Sequence, residues 1–352
     1  DDAYLSEKMV GYPAELDEVY AESFEEQKKE WFSCVGDGIQ ECRNTWEHKK
    51  WNITDFPEFE LAITIDRPEL YYDFLQKDWT RFCHDYWKNN FLEHHTLSKK
   101  RVTRIYIGNQ FCHNLFPRKK LLFQVLEKAL ENNLAVTLAF SYIRNHLLEE
   151  IDELLQELEV WCQSREKEAG KDQEEIIVND WAMPILLQGK PHLKPVLGVL
   201  LNKRRKDVRL PYKHGIGNHV DSLAENNLNC GFYQDYLKNT FDIQRFEFES
   251  CEYKVTIPDG HHSLHLPFFQ TNTSQYCTLY AVCRYGDRGK QKLPENCPRY
   301  CNKKVFLYPK HLKMVGRYNS LFGYDEKILW DEKQLQDYLE QGIDRIVVNV
   351  SL

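Results

Sequence analysis

The fold is decided by residues 102–140, which read VTRIYIGNQFCHNLFPRKKLLFQVLEKALENNLAVTLAF. The apolar run Val102 to Ile107 is followed by a segment with helical spacing, Arg118 to Asn132, and by a second apolar run, Ala135 to Phe140. Short apolar runs that alternate with amphipathic helices are typical of parallel strands joined by helical crossovers. This stretch therefore predicts a strand–helix–strand unit of an α/β fold.

The same alternation extends in both directions from this unit. Upstream, the run Leu61 to Ile65 predicts a strand, and Pro68 opens a helix that is expected to continue towards Trp87. The remaining predicted strands are Glu175–Val178, Pro195–Leu201, Gln244–Phe248, one or two strands between His262 and Tyr280, Val305–Tyr308 and Ile346–Val350. The remaining predicted helices are Asn145–Glu168, Cys230–Thr240 and Asp331–Gln341.

About eight strands of this kind predict a TIM-like (β/α) barrel, with irregularities allowed, over residues 58–352. Residues 1–57 are acidic and aromatic, and they are expected to form a partly helical N-terminal extension that could dock a partner. In a parallel barrel the chemistry lies at the carboxyl ends of the strands, where the loops converge. Functional residues are therefore expected just after strands.

Composition limits the class of protein. The 352 residues are 42% hydrophobic and carry a net charge of −8, so a folded core is expected and no global positive field attracts nucleic acid. No run approaches the roughly 18 apolar residues that span a bilayer. The eleven cysteines are an odd number, and no apolar signal segment opens the sequence, which disfavours a secreted disulfide framework and predicts a cytoplasmic protein.

Four cysteines predict a metal centre. Cys112 follows an early strand, whereas Cys283, Cys297 and Cys301 lie within nineteen residues of one another, and the two regions can meet at one rim of a barrel. Thiolates hold iron–sulfur clusters and zinc. The set lacks the paired C-x-x-C units of structural zinc sites, so a 4Fe-4S cluster is predicted and zinc is the runner-up. Cys277 lies six residues before Cys283 and could replace it.

Several of these segments together resemble the collagenase-like peptidase family. They are Arg104–Cys112, the strand ending Val178-Asn-Asp-Trp181, the run Leu197–Lys203 with Asp207-Val-Arg209, and the late cysteine loop. Within the family the chain is most similar to the iron–sulfur proteins of oxygen-independent ubiquinone hydroxylation, in which a cysteine past an early strand joins a later cysteine loop. Here thirteen and then three residues separate the late cysteines, and the resemblance covers roughly residues 60–350.

The resemblance implies an iron–sulfur enzyme that performs oxygen-independent hydroxylation or a related modification. Relatives hydroxylate ubiquinone precursors or bases in tRNA and ribosomal RNA, some carry the name peptidase, and the ubiquinone-pathway members work in pairs. The substrate could therefore be a small molecule, an RNA or a peptide, and a related iron–sulfur subunit could be a partner. The alternatives are a peptidase, for which no catalytic nucleophile and base can be named, and a non-catalytic scaffold or electron-transfer subunit.

A cluster held by four protein thiolates has no open iron, so a substrate must bind beside it. Two candidates end a strand and could instead cap a helix, and two lie in the basic run Asn202–Lys206, which could instead be a solvated loop. The last two follow Gly316 and could instead belong to a plain turn. The candidate substrate-binding residues are Asn179, Asp180, Asn202, Arg205, Arg317 and Asn319.

Overall fold

The structure is a computed structural model that describes residues 19–20, 28–29, 56–169, 174–208, 223–294, 296–308 and 312–351. Most of the predicted extension, residues 1–57, therefore lies outside the described residues. Arg209, which belonged to a segment of the family resemblance, also lies outside them.

Eight parallel strands form the central sheet. In chain order the strands of the molecule are β1 (Val19–Tyr20), β2 (Glu60–Ile65), β3 (Arg104–Gly108), β4 (Ala135–Ala139), β5 (Glu174–Val178), β6 (Leu193–Leu197), β7 (Glu247–Glu249), β8 (His262–Leu266), β9 (Phe268–Thr273), β10 (Val305–Leu307), β11 (Met314–Arg317), β12 (Ser320–Tyr324) and β13 (Ile343–Val348). The order across the central sheet is β6-β5-β4-β3-β2-β13-β8-β7. A parallel bridge between Leu197 and Phe246 joins its two edges, so the sheet is nearly closed into a barrel.

Helices surround the sheet, which confirms the predicted α/β alternation. They are α1 (Pro68–Gln76), α2 (Trp79–Asn89), α3 (Lys119–Glu131), α4 (Leu148–Ala169), α5 (Ala182–Leu186), α6 (Gly231–Phe241), α7 (Thr278–Tyr285) and α8 (Glu332–Glu340). The single helix predicted from Pro68 to Trp87 is wrong. The chain breaks after α1 because Asp78 starts a new helix, accepting a hydrogen bond from the Arg81 amide at 2.9 Å. Among the described helices, none combines the length and apolar composition needed to cross a bilayer.

Alternating side chains of the strands build two separate cores. Those that face outwards pack under the helices in one large apolar cluster. Those that face inwards form a small layer inside the barrel, made of Ala62, Tyr106, Ala139, Ile177, Val196 and Val347. On the amino-terminal side of this layer, Arg345 pairs with Glu175 at 2.6 Å and with Glu60 at 2.6 Å. The barrel interior is therefore apolar in its middle layer and charged below it.

A second, antiparallel sheet is inserted between the last two strands of the barrel, β8 and β13. Its order is β1-β10-β11-β12-β9, and its hairpin β11–β12 turns at Tyr318. Gly316 lies within β11, so the alternative reading of a plain turn around Gly316 is wrong. The early strand β1 pairs with β10, so part of the region before the barrel joins this sheet. Lys28 is also buried, and its Nζ donates to Asn90 Oδ1 and to the Val350 carbonyl oxygen at 2.6 Å each.

Candidate metal centre and substrate pocket

The turn after β3 places Cys112 at the carboxyl end of the barrel. Gly108 closes the strand with a φ of 108°, and a Cβ there would lie 2.5 Å from the Ala139 carbonyl oxygen, so only glycine fits. Asn109 Oδ1 then accepts hydrogen bonds from the amides of Phe111 and Cys112 at 2.9 Å each. This side-chain turn directs Cys112 to the start of the 3₁₀ helix His113–Leu115.

Cys277 begins helix α7. Its Sγ accepts a hydrogen bond from the Tyr280 amide at 3.3 Å, as a helix N-cap does, and the thiol donates to the Tyr318 carbonyl oxygen at 3.0 Å. The sequence predicted strand as far as Tyr280, and this was wrong because α7 occupies Thr278–Tyr285. Cys283 therefore lies within this helix, where it is half-buried against the large apolar cluster.

Two arginines fasten the segment that carries Cys297 and Cys301. Arg299 Nε donates to the Asn114 carbonyl oxygen at 3.2 Å, which joins this segment to the turn of Cys112. Arg317 Nε donates to the Cys301 carbonyl oxygen at 3.0 Å, which joins it to strand β11. The late cysteine segment is thus held to the barrel rim and to the second sheet at once.

These segments surround a recess of about 510 Å³ at the rim. Four thiols line it, those of Cys112, Cys277, Cys297 and Cys301. Cys283 is absent from the described residues around the recess, and Cys277 is present in its place. The structure therefore brings together three of the four cysteines first predicted as ligands, with the alternative Cys277 as the fourth.

Burial raises the pKa of Cys112 to about 11 and that of Cys301 to about 12. It also raises the pKa of Cys277, and the neighbouring thiols of the recess act in the same direction. With no cation beside them, the thiols of Cys112, Cys277 and Cys301 are therefore protonated at neutral pH. A metal that binds them has to displace these protons, which couples its affinity to pH.

Within the described residues there is no group of three or more His, Cys, Asp or Glu side chains that could hold a metal ion. A single zinc ion draws its ligands to about 2.0–2.3 Å from one centre. In a four-iron cluster each thiolate binds a different iron, so the sulfur atoms stand further apart. Four thiols distributed around one recess are the donor set that such a cluster uses.

A second pocket of about 490 Å³ opens in the mouth of the barrel. Its walls include Asp66 after β2, Gln110 after β3, Glu249 at the end of β7 and His265 on β8. Tyr318 lines both this pocket and the thiol recess, so it lies between the two spaces. Among the described residues, neither the Tyr318 hydroxyl nor Asp66 Oδ1 has a hydrogen-bond partner, although both atoms are buried.

Asn179 and Asp180 hold neighbouring loops together. Asn179 Nδ2 donates to the Phe140 carbonyl oxygen at 2.7 Å, while its Oδ1 accepts from the Leu200 amide at 3.1 Å. Asp180 Oδ1 accepts from the amides of Ala182 and Met183 at 3.0 and 3.1 Å, which caps helix α5. Both polar ends of these side chains are thereby engaged by backbone groups.

The basic run Asn202–Lys206 contains both buried and exposed side chains. Asn202 is buried and its Nδ2 donates to the Glu247 carbonyl oxygen at 3.1 Å, whereas Arg205 is exposed. Two cations of the run have interior partners: Lys206 contacts Glu249 and donates to Gln270 Oε1 at 3.1 Å, and Arg204 Nη1 donates to Cys251 Sγ at 3.0 Å. No charge from this run therefore points freely into the barrel mouth among the described residues.

The last two candidates lie at the thiol recess. Arg317 supports the backbone of Cys301, as described above, and Asn319 lines the recess itself. Asn319 Nδ2 donates to the Ser274 carbonyl oxygen at 2.6 Å and to the Tyr142 hydroxyl at 3.1 Å. These contacts join the hairpin turn to the loop after β4 and to the segment before Cys277.

Sequence reasoning missed three residues of the barrel mouth. Asp66 follows directly after β2, so the strand-end signal that selected Asn179 could also have found it. His265 lies on β8, within the region predicted as one or two strands, and contacts Glu247 inside the barrel. No sequence signal distinguishes Tyr318, because its position depends on the pairing of β11 with β12.

The fold and the site define an α/β protein whose nearly closed parallel barrel carries a four-thiol recess at its carboxyl rim. Comparison of the chain with protein-family models, with curated proteins and with solved structures finds no match in any of the three. The resemblance to the collagenase-like peptidase family therefore stays a prediction.

Proposed function

We propose that the protein is an iron–sulfur enzyme on a TIM-like (β/α) barrel, with a 4Fe-4S cluster held by Cys112, Cys277, Cys297 and Cys301. The observation that carries the proposal is that these four thiols line one recess. Four cysteine thiolates are the usual ligand set of such a cluster. Of the two late cysteines six residues apart, Cys277 is the ligand, because the described residues around the recess include Cys277 and not Cys283.

Charges around the recess support this assignment. Arg144 lines the recess and acts electrostatically on Cys112, and Arg317 acts on Cys301. Four thiolates with their cluster carry net negative charge, and these two guanidinium groups offset part of it. Neither arginine can lose its proton in a protein, so this contribution persists over the whole working pH range.

The substrate is proposed to bind in the barrel mouth, on the other side of Tyr318 from the thiols. With four thiolate ligands the bound cluster supplies electron transfer, since it has no open iron for Lewis-acid chemistry. The barrel side chains would bind and orient the substrate against the ring of Tyr318. The family resemblance directs the choice of reaction, which is oxygen-independent hydroxylation or a related modification of a small molecule, an RNA or a peptide.

Metal analysis of protein purified without oxygen tests the cluster. We expect about four iron and four sulfide per chain and a broad absorption near ~400 nm. About one zinc per chain without iron would replace the proposed cluster with the runner-up metal. Purified protein without iron, sulfide or zinc, which also fails to take up iron and sulfide supplied anaerobically, would overturn the proposal.

Mass spectrometry of metabolites and RNA tests the reaction. Cells with the gene should contain a product that has gained an oxygen, and cells that carry only the Cys277→Ser variant should lack it. New peptide ends that persist in the cysteine variant would indicate a peptidase instead. A stable complex with a related subunit, with neither product, would indicate a scaffold or electron-transfer role.

A further inference from the structure

The barrel-mouth pocket has the polarity of a site for a ligand without acidic groups. We infer that it binds a planar ring that carries a hydrogen-bond donor and no negative charge. That this ligand is the substrate rests on the proposed function, whereas the binding preference itself follows from the pocket.

Two buried oxygen atoms of this pocket lack partners among the described residues. Asp66 Oδ1 is an acceptor, and the Tyr318 hydroxyl can donate or accept. Tyr318 is only 3% exposed, so bulk water does not solvate its hydroxyl. An unsatisfied buried polar group costs about 1–3 kcal/mol, more when it is charged, and a ligand that donates a hydrogen bond to Asp66 removes that cost.

The charges around the pocket disfavour an acidic ligand. Asp66 and Glu249 line it, and neither Lys nor Arg appears among the described residues of its wall. The nearest cation of the basic run, Lys206, is already engaged by Glu249, whose Oε1 also accepts from the Gln270 amide at 2.7 Å. The other cationic groups close to the pocket are engaged as well: His265 contacts Glu247, and Arg317, whose guanidinium lies 5.5 Å from the centre of the Tyr318 ring, donates to the Cys301 carbonyl oxygen. A carboxylate or phosphate would therefore meet the charge of Asp66 with no Lys or Arg among the described wall residues to offset it.

Four aromatic residues form another part of the wall. Tyr106, Phe111, Tyr318 and Phe322 all line the pocket, and Phe111 and Phe322 pack edge to face with ring centroids 4.9 Å apart. Aromatic pairs contribute about 0.5–1.5 kcal/mol beyond simple burial, so a planar ring gains more here than an aliphatic chain of equal size. Because Tyr318 belongs to both spaces, a ring stacked on it lies next to the thiol recess.

Three probes that share a phenol ring and differ in charge test the inference. They are tyramine, which is cationic, 4-ethylphenol, which is neutral, and 4-hydroxyphenylpropionate, which is anionic. Each is titrated calorimetrically into protein purified without oxygen. We expect tyramine and 4-ethylphenol to bind and the anion to bind at least about tenfold more weakly than tyramine, a difference of about 1.4 kcal/mol.

The variant Asp66→Asn should lose most of the tyramine preference, and Asp235→Asn, on the exposed face of α6, should keep it. Circular dichroism and iron content show whether the first variant is folded. Equal binding of the anion, binding of none of the probes, or an unchanged preference in folded Asp66→Asn would overturn the inference. Iron and sulfide are measured in the same samples. Because the charge preference does not require iron, protein that lacks the cluster should still prefer tyramine, and protein that holds the cluster without this preference would contradict only the binding inference.

Discussion

The thiol of Cys277 donates a hydrogen bond to the backbone carbonyl oxygen of Tyr318, with 3.0 Å between sulfur and oxygen. The Tyr318 side chain lines both the thiol recess and the barrel mouth. One contact therefore joins a proposed cluster ligand to the residue that lies between the two spaces. It exists because the hairpin β11–β12 turns at this point, with Tyr318 in the left-handed region at a φ of 58°.

Replacement of Cys277 should remove the cluster, and replacement of Cys283 should leave it. Serine is a good N-cap, so Cys277→Ser preserves the start of α7 while it removes a soft ligand. We expect this variant to lose most of its iron and of its absorption near ~400 nm. The matched variant Cys283→Ser changes a half-buried thiol of the same helix and should keep both. The reverse pattern would assign the ligand to Cys283, as the linear spacing first suggested.

Replacement of Tyr318 by Phe should weaken ligand binding without lowering the stability of the protein. The variant removes a buried hydroxyl that has no partner among the described residues, so the free energy of unfolding should stay the same or rise by about 1 kcal/mol. The affinity for tyramine should fall, because the side chain at position 318 no longer has a hydroxyl that can form a hydrogen bond with the ligand. Denaturant unfolding and calorimetry measure the two quantities. A stability loss of about 2 kcal/mol would show that the hydroxyl has a partner in the folded protein.

Inside the barrel, Glu175→Gln should be strongly destabilising. Burial alone would raise the pKa of Glu175, but Arg104 and Arg345 hold it at about 2. Its two oxygens accept from Arg345 at 2.6 and 3.0 Å, so the neutral variant removes one of the two carboxylates that compensate this buried guanidinium and leaves only Glu60 of the pair described above. We expect a loss of about 3–5 kcal/mol at neutral pH in denaturant unfolding. Glu157→Gln, which breaks an exposed pair with Lys119, should cost less than about 1 kcal/mol.

The pH dependence of this difference has a defined sign. Because the pKa of Glu175 is lowered in the folded protein, its contribution is complete above the ordinary value of 4.5 and declines as the pH falls towards about 2. The gap between the original protein and Glu175→Gln should therefore shrink in that acidic window. A gap that stays constant down to about pH 2 would contradict the role given to the two arginines.

The alternation of strands and helices could be predicted from the sequence, because the residues that specify each strand or helix lie next to one another in the chain. The runs Leu61–Ile65 and Ala135–Phe140 carry enough apolar residues to identify buried parallel strands. The hairpin β11–β12 could not be predicted from the sequence, since Gly316 and Gly323 make its two short strands resemble a turn. Their strand state depends on pairing with β10 and with β9, and β9 is distant in the chain.

The candidate site could be predicted only in part, for a similar reason. Spacing predicted that Cys112, Cys297 and Cys301 would meet at one rim, and they line one recess there. Spacing does not show which side of a short helix faces the rim, and this decides between Cys277 and Cys283. The eight residues of α7 are mostly apolar, so their sequence pattern also suits a strand.

Asp325 should make the protein less stable as the pH rises. Burial is the main cause that raises the pKa of this carboxyl group from 3.8 to about 7, and the nearby Glu252 adds to it. A group whose pKa is raised on folding contributes stability that is complete below its ordinary value and is lost as the pH rises through the folded value. The loss should therefore occur between about pH 4 and pH 7.

Asp325→Asn removes this titration and retains a group that accepts the Ile328 amide, which donates to Asp325 Oδ1 at 3.3 Å. Relative to the original protein, the variant should gain stability steadily across that window. The gain should total about 4 kcal/mol by about pH 8, because each pKa unit corresponds to about 1.36 kcal/mol. Denaturant unfolding at a series of pH values measures it, with Asp235→Asn on the exposed face of α6 as the control. Parallel curves for Asp325→Asn and the original protein would mean that Asp325 stays ionised in the folded state.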